Sequence, residues 1–247
     1  HEYRLSIIQK FHMVMNYHGD DSVISALKKR GIVSPVTYNR GMDMRATITT
    51  GRLNAHNRIP VELVFNKAED IDGNTMIPAG TKMAGSVVRY KMPVYDSVIS
   101  DQMDQDTKRT FLETFKNILA EISFPVKRMA IGDTFKIVAP LNFALGDLTI
   151  KLSFSTVYTL RSFDATIANF DIDMTYTLNK DDSAMVASGG GSGSGVMVLD
   201  LKNDYPLKFT SAYRIELAAN KNGVFITSNI SGNSDSENSI YPVKKPQ

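Results

Sequence analysis

Residues 183–201 read SAMVASGGGSGSGVMVLDL, and the centre, 188–195, holds only Gly and Ser. Such a run is a flexible linker when the segments on either side each complete a core of their own. Here Met185, Val186 and Ala187 lead into it, and Val196, Met197, Val198 and Leu199 follow directly. Apolar flanks on both sides predict one sheet that continues past the run, not two domains. The expected form is a mobile hairpin connection over 188–195. Its last glycines, Gly193 and Gly195, enter the next strand and leave room for another backbone or side chain to approach closely.

Outward from this stretch the chain alternates. ATIANFDIDMTYTL sets Ile167, Asn169, Asp171 and Asp173 against Ala168, Phe170, Ile172, Met174, Tyr176 and Leu178. LTIKLSFSTVYTL sets Leu148, Ile150, Leu152 and Phe154 against Thr149, Lys151, Ser153 and Ser155. A period of two over such lengths is an antiparallel strand with one face on a core. Shorter strands are expected over 135–141, 195–201, 207–217 and 223–231, as in a meander. At the other end, YRLSIIQKFHMVMNY turns Tyr3, Leu5, Ile7, Phe11, Met13, Met15 and Tyr17 one way. Ile8, Lys10, His12, Val14 and Asn16 face the other way. Strands are expected to follow over 42–53, 58–71 and 82–92.

Two helices interrupt the strands. A short insertion near 22–30 has Asp20 or Asp21 as N-cap and Gly31 as stop. The helix at 107–122 sets Phe111, Phe115, Ile118, Leu119 and Ile122 on one stripe, with Asp104 or Asp106 as N-cap and Pro125 closing the segment. Lys108, Glu113, Lys116 and Glu121 lie opposite. A stripe this apolar needs a sheet surface to cover. The predicted fold is therefore mainly β (α+β), a curved antiparallel sheet or half-barrel packed on the 107–122 helix. It forms a single β-rich domain over 1–232, followed by a polar, frayed tail over 233–247. The halves on either side of that helix are alike in kind, without a repeat that aligns residue by residue.

At 247 residues the chain can bury a core without staples. A formal charge of +2, from 28 basic against 26 acidic residues, gives no footprint for nucleic acid. Lys28-Lys29-Arg30 reads as a solvated helix end. With no Cys, disulfides, thiolate nucleophiles and Cys-based zinc sites are excluded. No apolar run has the length of a transmembrane helix. The chain opens on His1-Glu2-Tyr3 without an initiator Met, and is expected to be trimmed from a longer precursor.

No catalytic constellation emerges. His1, His12, His18 and His56 lack metal-ligand spacing, and no metal or cofactor is expected. Asp171 and Asp173 share a strand face, as a glycosidase acid pair would, but a solvent face explains them as well. Glu69-Asp70-Ile71-Asp72 lacks the spacing of a calcium loop. GSGSG at 191–195 matches a nucleophile elbow only as a string, because no helix follows. The chain has 12 Met, and Met lines adaptable apolar surfaces. An apolar ligand face is therefore expected at Met13, Met15, Phe111, Phe115, Phe154 and Met174, with ordinary core filling as the plainer reading.

Several short motifs carry a resemblance. Ile131-Gly132-Asp133-Thr134-Phe135 is similar to a Val-Gly-Asp-x-Trp signature, with Phe135 in place of Trp. Gly193-Ser194-Gly195 through Asp200 is similar to a G-x-G-x-x-x-x-D element, and Asp204-Tyr205-Pro206-Leu207 to a turn before a strand. With the long alternating strands, these motifs make the chain resemble an uncharacterised family of bacterial envelope proteins. Many of that family read as lipoproteins, in Bacteroidetes and others. The chain departs from the pattern at the insertion 20–38 and at the missing Trp. The resemblance implies a β-rich fold and export, to the periplasm or to the outer membrane or cell surface as a lipoprotein. It supplies no catalytic residues. The expectation is a non-catalytic envelope protein that binds a lipid or other hydrophobic ligand on its concave face. The alternative is a cell-surface structural or protein-interaction domain with an envelope protein partner, and after it a hydrolase.

Overall fold

The computed structural model describes residues 2–88, 93–120, 128–145, 148–178, 186–203, 205–221 and 223–241. The strands are β1 (Glu2–His18), β2 (Val36–Thr50), β3 (Ile59–Asp70), β4 (Lys82–Val87), β5 (Val94–Ile99), β6 (Thr134–Leu145), β7 (Leu148–Phe163), β8 (Ile167–Leu178), β9 (Val186–Asp200), β10 (Tyr205–Lys221) and β11 (Val224–Tyr241). Helix α1 (Asp21–Lys29) follows β1, and α2 (Gln105–Ala120) follows β5.

All eleven strands join one open, curved antiparallel sheet, in the order β5-β4-β3-β2-β1-β11-β10-β9-β8-β7-β6. The first and last strands lie side by side at its middle. One wing, β2 to β5, runs to one edge, and the other, β10 back to β6, runs to the opposite edge. Pro140 lies in edge strand β6, where a residue without an N–H is tolerated. The expected inward face of β1 is the inward face here, with Met13, Met15 and Tyr17 buried along it.

Both helices start as their sequences predict. Val23 N–H donates to the Asp20 carboxylate at 2.9 Å, capping α1, and Gly31 takes φ +78° just past the helix end. Thr107 N–H donates to the Asp104 carboxylate at 2.7 Å, so Asp104, not Asp106, caps α2. Asp106 instead pairs with Arg109. Ile122 and Pro125 lie outside the described residues.

Three expectations are corrected. The Gly/Ser run is no hairpin connection; it lies inside β9, paired along its length with β10 and, through most of it, with β8. A central strand receives its hydrogen-bond ladder from both neighbours, which offsets the poor strand propensity of Gly and Ser. The register places Gly193 between Met174 of β8 and Tyr213 of β10. A Cβ there would lie 2.8 Å from the Met174 Cε and 2.8 Å from the Tyr213 Cβ. The rings of Tyr176 and Tyr213 meet 5.6 Å apart across β9, in the space that its missing side chains leave. Second, residues 233–241 are no frayed tail but the second half of β11, paired with β1 on one side and through much of their length with β10 on the other. Residues 242–247 lie outside the described residues. Third, β5 was not expected, and β2 begins at Val36, well before 42.

The two quoted motifs are structural corners. At the first, Gly132 N–H donates to the Leu160 carbonyl at 2.8 Å and Leu160 N–H to the Asp133 carbonyl at 2.9 Å. Phe135, in place of Trp, stacks on Tyr158 with centroids 4.6 Å apart. At the second, the Asp200 carboxylate accepts the N–H groups of Lys202 and Asn203, closing the turn toward β10. Asp204 lies outside the described residues.

Candidate functional site: the concave face and helix α2

Cross-strand register gathers the apolar side chains on the inward face into two clusters. The larger fills the β6–β11 wing and the adjoining end of β1. Leu152 is fully buried, and Ile150, Ile172, Ile215 and Ile230 nearly so. Ring contacts knit it together, with Phe154 stacked on Tyr176 at 4.8 Å and Phe135 edge-on to Phe170 at 5.8 Å. Leu27 and Ile32, from α1 and the loop after it, close one side.

The smaller cluster belongs to β2–β5. It buries Ala46, Val61, Leu63, Phe65, Met83 and Tyr95. These strands do not cover it alone; α2 lies over it through Phe111, Leu112 and Phe115. Phe65 meets Phe111 at 5.8 Å and Phe115 at 6.4 Å, and Tyr95 meets Phe115 at 5.7 Å, all edge-on. The covering side chains remain half-exposed, and none of α2's described residues is buried.

A polar belt parts the clusters. On the same inward face the register brings Gln9, Ser211, Ser234, Ser236 and Asn238 together along β1, β10 and β11. Gln9 donates to Ser234 at 3.4 Å, and the Asn238 amide donates to the Pro206 carbonyl at 2.7 Å. The buried Asn238 Oδ1 has no hydrogen-bond partner.

Beside this belt two phenol rings meet. The rings of Tyr3 (β1) and Tyr205 (β10) lie 4.6 Å apart. Burial raises the Tyr205 phenol above its ordinary value, and the nearby Tyr3 and Tyr95 hydroxyls raise it further. Burial alone pushes the Tyr95 phenol up to about 12. Burial also raises Tyr3, opposed by its hydrogen bond with Thr50 and aided by the Asp200 carboxylate.

The residues singled out from sequence divide between these regions. Met13, Met15 and Met174 are buried in the larger cluster, with Phe154 packed partly buried against it. Phe111 and Phe115 belong to the smaller one. The six do not form one surface, and the three Met are core. Asp171 lies on the outward face and pairs with Arg161 at 3.2 Å, with exposed Asp173 two residues on. Asp70 closes its own turn by accepting the N–H groups of Asp72 and Asn74. His12 Nδ1 lies 2.7 Å from the Asn39 side-chain oxygen, and His18 lies beside Phe225. His1 lies outside the described residues. Among the described residues no three His, Asp or Glu side chains stand close enough to hold a metal ion, and no helix is long and apolar enough to cross a membrane. The convergent tyrosines went unnoticed in the sequence. Tyr3 falls on the inward period of β1, but β5 is too short to show a period around Tyr95.

No family model and no curated protein matches the chain. Among solved structures, one described as "Asymmetric conductivity of engineered proteins" aligns over 94% of this chain and 99% of that one, at 8% identity and a TM-score of 0.29. A likeness at that score carries no argument about fold or function.

Proposed function

We propose that the protein is a non-catalytic binding protein that takes an acyl chain or similar apolar ligand on its inward face, beneath α2. The observation that carries this reading is the loose cover of the smaller cluster. A sheet face with Phe65 and Met83 fully buried is closed by a helix whose Phe111, Leu112 and Phe115 stay half-exposed. Half-burial of Phe111, Leu112 and Phe115 holds α2 with about 1 kcal/mol each. An apolar ligand that replaced those contacts with fuller burial would recover that cost. The β6–β11 wing is filled by its own side chains and takes no part in the binding. Residence in a bacterial envelope, exported as a lipoprotein, rests on the motif resemblance.

Native mass spectrometry of the gently purified protein is expected to show adducts of acyl-lipid mass. The neutral dye N-phenyl-1-naphthylamine is expected to brighten on binding and to be displaced by acyl lipids. A protein that carries no adduct and leaves the dye dark overturns the reading. Protein interaction through the sheet edges is a second reading, favoured by exposed Val94 and Ile99 on β5 and Val138 on β6. A stable protein partner recovered without lipid would favour it.

A further inference from the structure

The outward face of the sheet carries a basin of its own, on the side away from the two cores. It spans β2, β1 and β11, has a volume of about 560 Å³ and opens to solvent. Arg4, Ser6, Arg45, Asn66, Glu237 and Ser239 line it. Cross-strand register explains its shape. Ser6 stands opposite Arg45 on one side and Glu237 on the other, and Arg4 stands opposite Ser239. Short serines make the floor, and long side chains at the flanking positions make the walls. A β-bulge adds one wall. Arg45 pairs with Lys67 and Ala46 with Phe65, so Asn66 is the extra residue of β3. Bulges re-aim side chains beside functional sites. Here the amide of the extra residue turns outward, and its Nδ2 donates to the Thr47 hydroxyl at 2.8 Å.

Two guanidinium groups flank the basin with donors to spare. Arg4 and Arg45 take diagonal positions on β1 and β2, a separation of about 7–8 Å that long side chains can bridge. Arg4 is braced. Its Nε donates to Glu2 at 3.0 Å, and its guanidinium lies over the Tyr241 ring, 4.5 Å from the centroid. Its Nη groups make no hydrogen bond among the described residues. Arg45 has the Asp43 carboxylate 3.9 Å away, beyond hydrogen-bond reach, because Lys67 holds that group at 2.8 Å. Planar forks with unspent donors match an oxyanion, and a carboxylate above all when two parallel bonds form.

The rest of the lining asks for a different partner. Glu237 only accepts, and Asn66, with Nδ2 committed to Thr47, presents Oδ1 as an acceptor. The hydroxyls of Ser6 and Ser239 both donate and accept. The volume lies within the range of small-molecule sites, about 300–1,000 Å³. A lone oxyanion would meet the guanidiniums and leave most of that space and both acceptors unfilled. We infer that the basin binds a sugar acid of the uronic type. Its carboxylate lies between Arg4 and Arg45. Its ring hydroxyls donate to Glu237 and Asn66 and bond with the two serines. This site is separate from the acyl-binding face and does not depend on it.

Titration of glucuronate into the isotope-labelled full chain at neutral pH, followed by amide chemical shifts, tests this. Saturable shifts are expected at Ser6, Arg45, Asn66 and Ser239. Glucose, which lacks the carboxylate, and inorganic phosphate, which lacks the ring hydroxyls, are each expected to bind more weakly by about tenfold or more. Arg45→Ala removes one fork at a well-exposed position and is expected to weaken glucuronate by about tenfold, with the amide spectrum elsewhere unchanged. Arg45→Lys keeps the charge without the fork and should fall between the two. Glucose or phosphate binding as well as glucuronate overturns the inference, and so does the absence of any saturable shift. Shifts confined to other parts of the sheet, or an unchanged affinity in Arg45→Ala, overturn the assignment to this basin.

Discussion

The two wings of the sheet share one architecture and finish their cores differently. In β6–β11, long strands carry enough apolar side chains that the curled sheet fills its own concavity, down to rings that cross the glycine stripe of β9. In β2–β5 the strands toward the edge are short, and β4 and β5 span only six residues each. That wing borrows its cover from α2. A filled interior resists change everywhere at once, whereas a borrowed cover can lift without unfolding what lies beneath.

Leu152→Ala strikes the self-filled wing at a fully buried side chain. It should cost about 2–5 kcal/mol, read as a lower urea midpoint of the whole protein. Gly193→Val should cost about 1–3 kcal/mol through overpacking, while Ser192→Ala, on the outward face next to it, should leave the melting temperature nearly unchanged. Equal effects at 192 and 193 would break the account of the stripe. Alkaline unfolding comes next. The raised Tyr95 phenol stays protonated in the fold while the unfolded chain ionises near its ordinary 10.0. Its contribution is whole below pH 10 and is lost as pH rises toward about 12. Tyr95→Phe should flatten that decline in urea midpoints measured across this range. Phe115→Ala should cost only about 1 kcal/mol, but amide exchange in α2 should quicken while that in β7 and β8 holds. Global loss of protection would mean the cover is no separate unit. The smallest effect is at the surface. Lys67 donates to Asp43 at 2.8 Å and, by that bond, holds its carboxyl below the ordinary range. This stability is present above the ordinary value and lost as pH falls. Lys67→Met should therefore lower stability slightly at neutral pH and make the decline below about pH 4 shallower by the same small amount.

Much of the larger wing was legible. The alternation of 148–162 and 167–178 named the inward residues of β7 and β8, and the stripe of Phe111 and Phe115 named the face of α2. The Gly/Ser run hid its strand because composition drowned its period. Gly189, Gly191, Gly193 and Gly195 fall strictly on the inward side, with Ser188, Ser192 and Ser194 outward. Residues 233–241 hid theirs because a central strand held by ladders on both sides does not need apolar side chains. The site was less legible. Tyr3 and Tyr205 come from strands at opposite ends of the sequence, and they meet only because β1 and β10 both flank β11.

The seam at the middle of the sheet has a kinetic consequence. The register pairs Glu2 with Tyr241 and His18 with Phe225, so this join spans nearly the whole chain, whereas the other strand pairs are neighbours in sequence. Pairings of such separation pay loop-closure entropy before they are rewarded, and they form late. As the chain is made from its N-terminus, β1 waits with one edge bare until the last strand appears, and a bare edge invites pairing with other chains. The strand that ends this wait carries SGNSDSENS over 231–239. A charged, Ser- and Asn-rich segment with few apolar side chains has little tendency to pair with its own copies while it is still free.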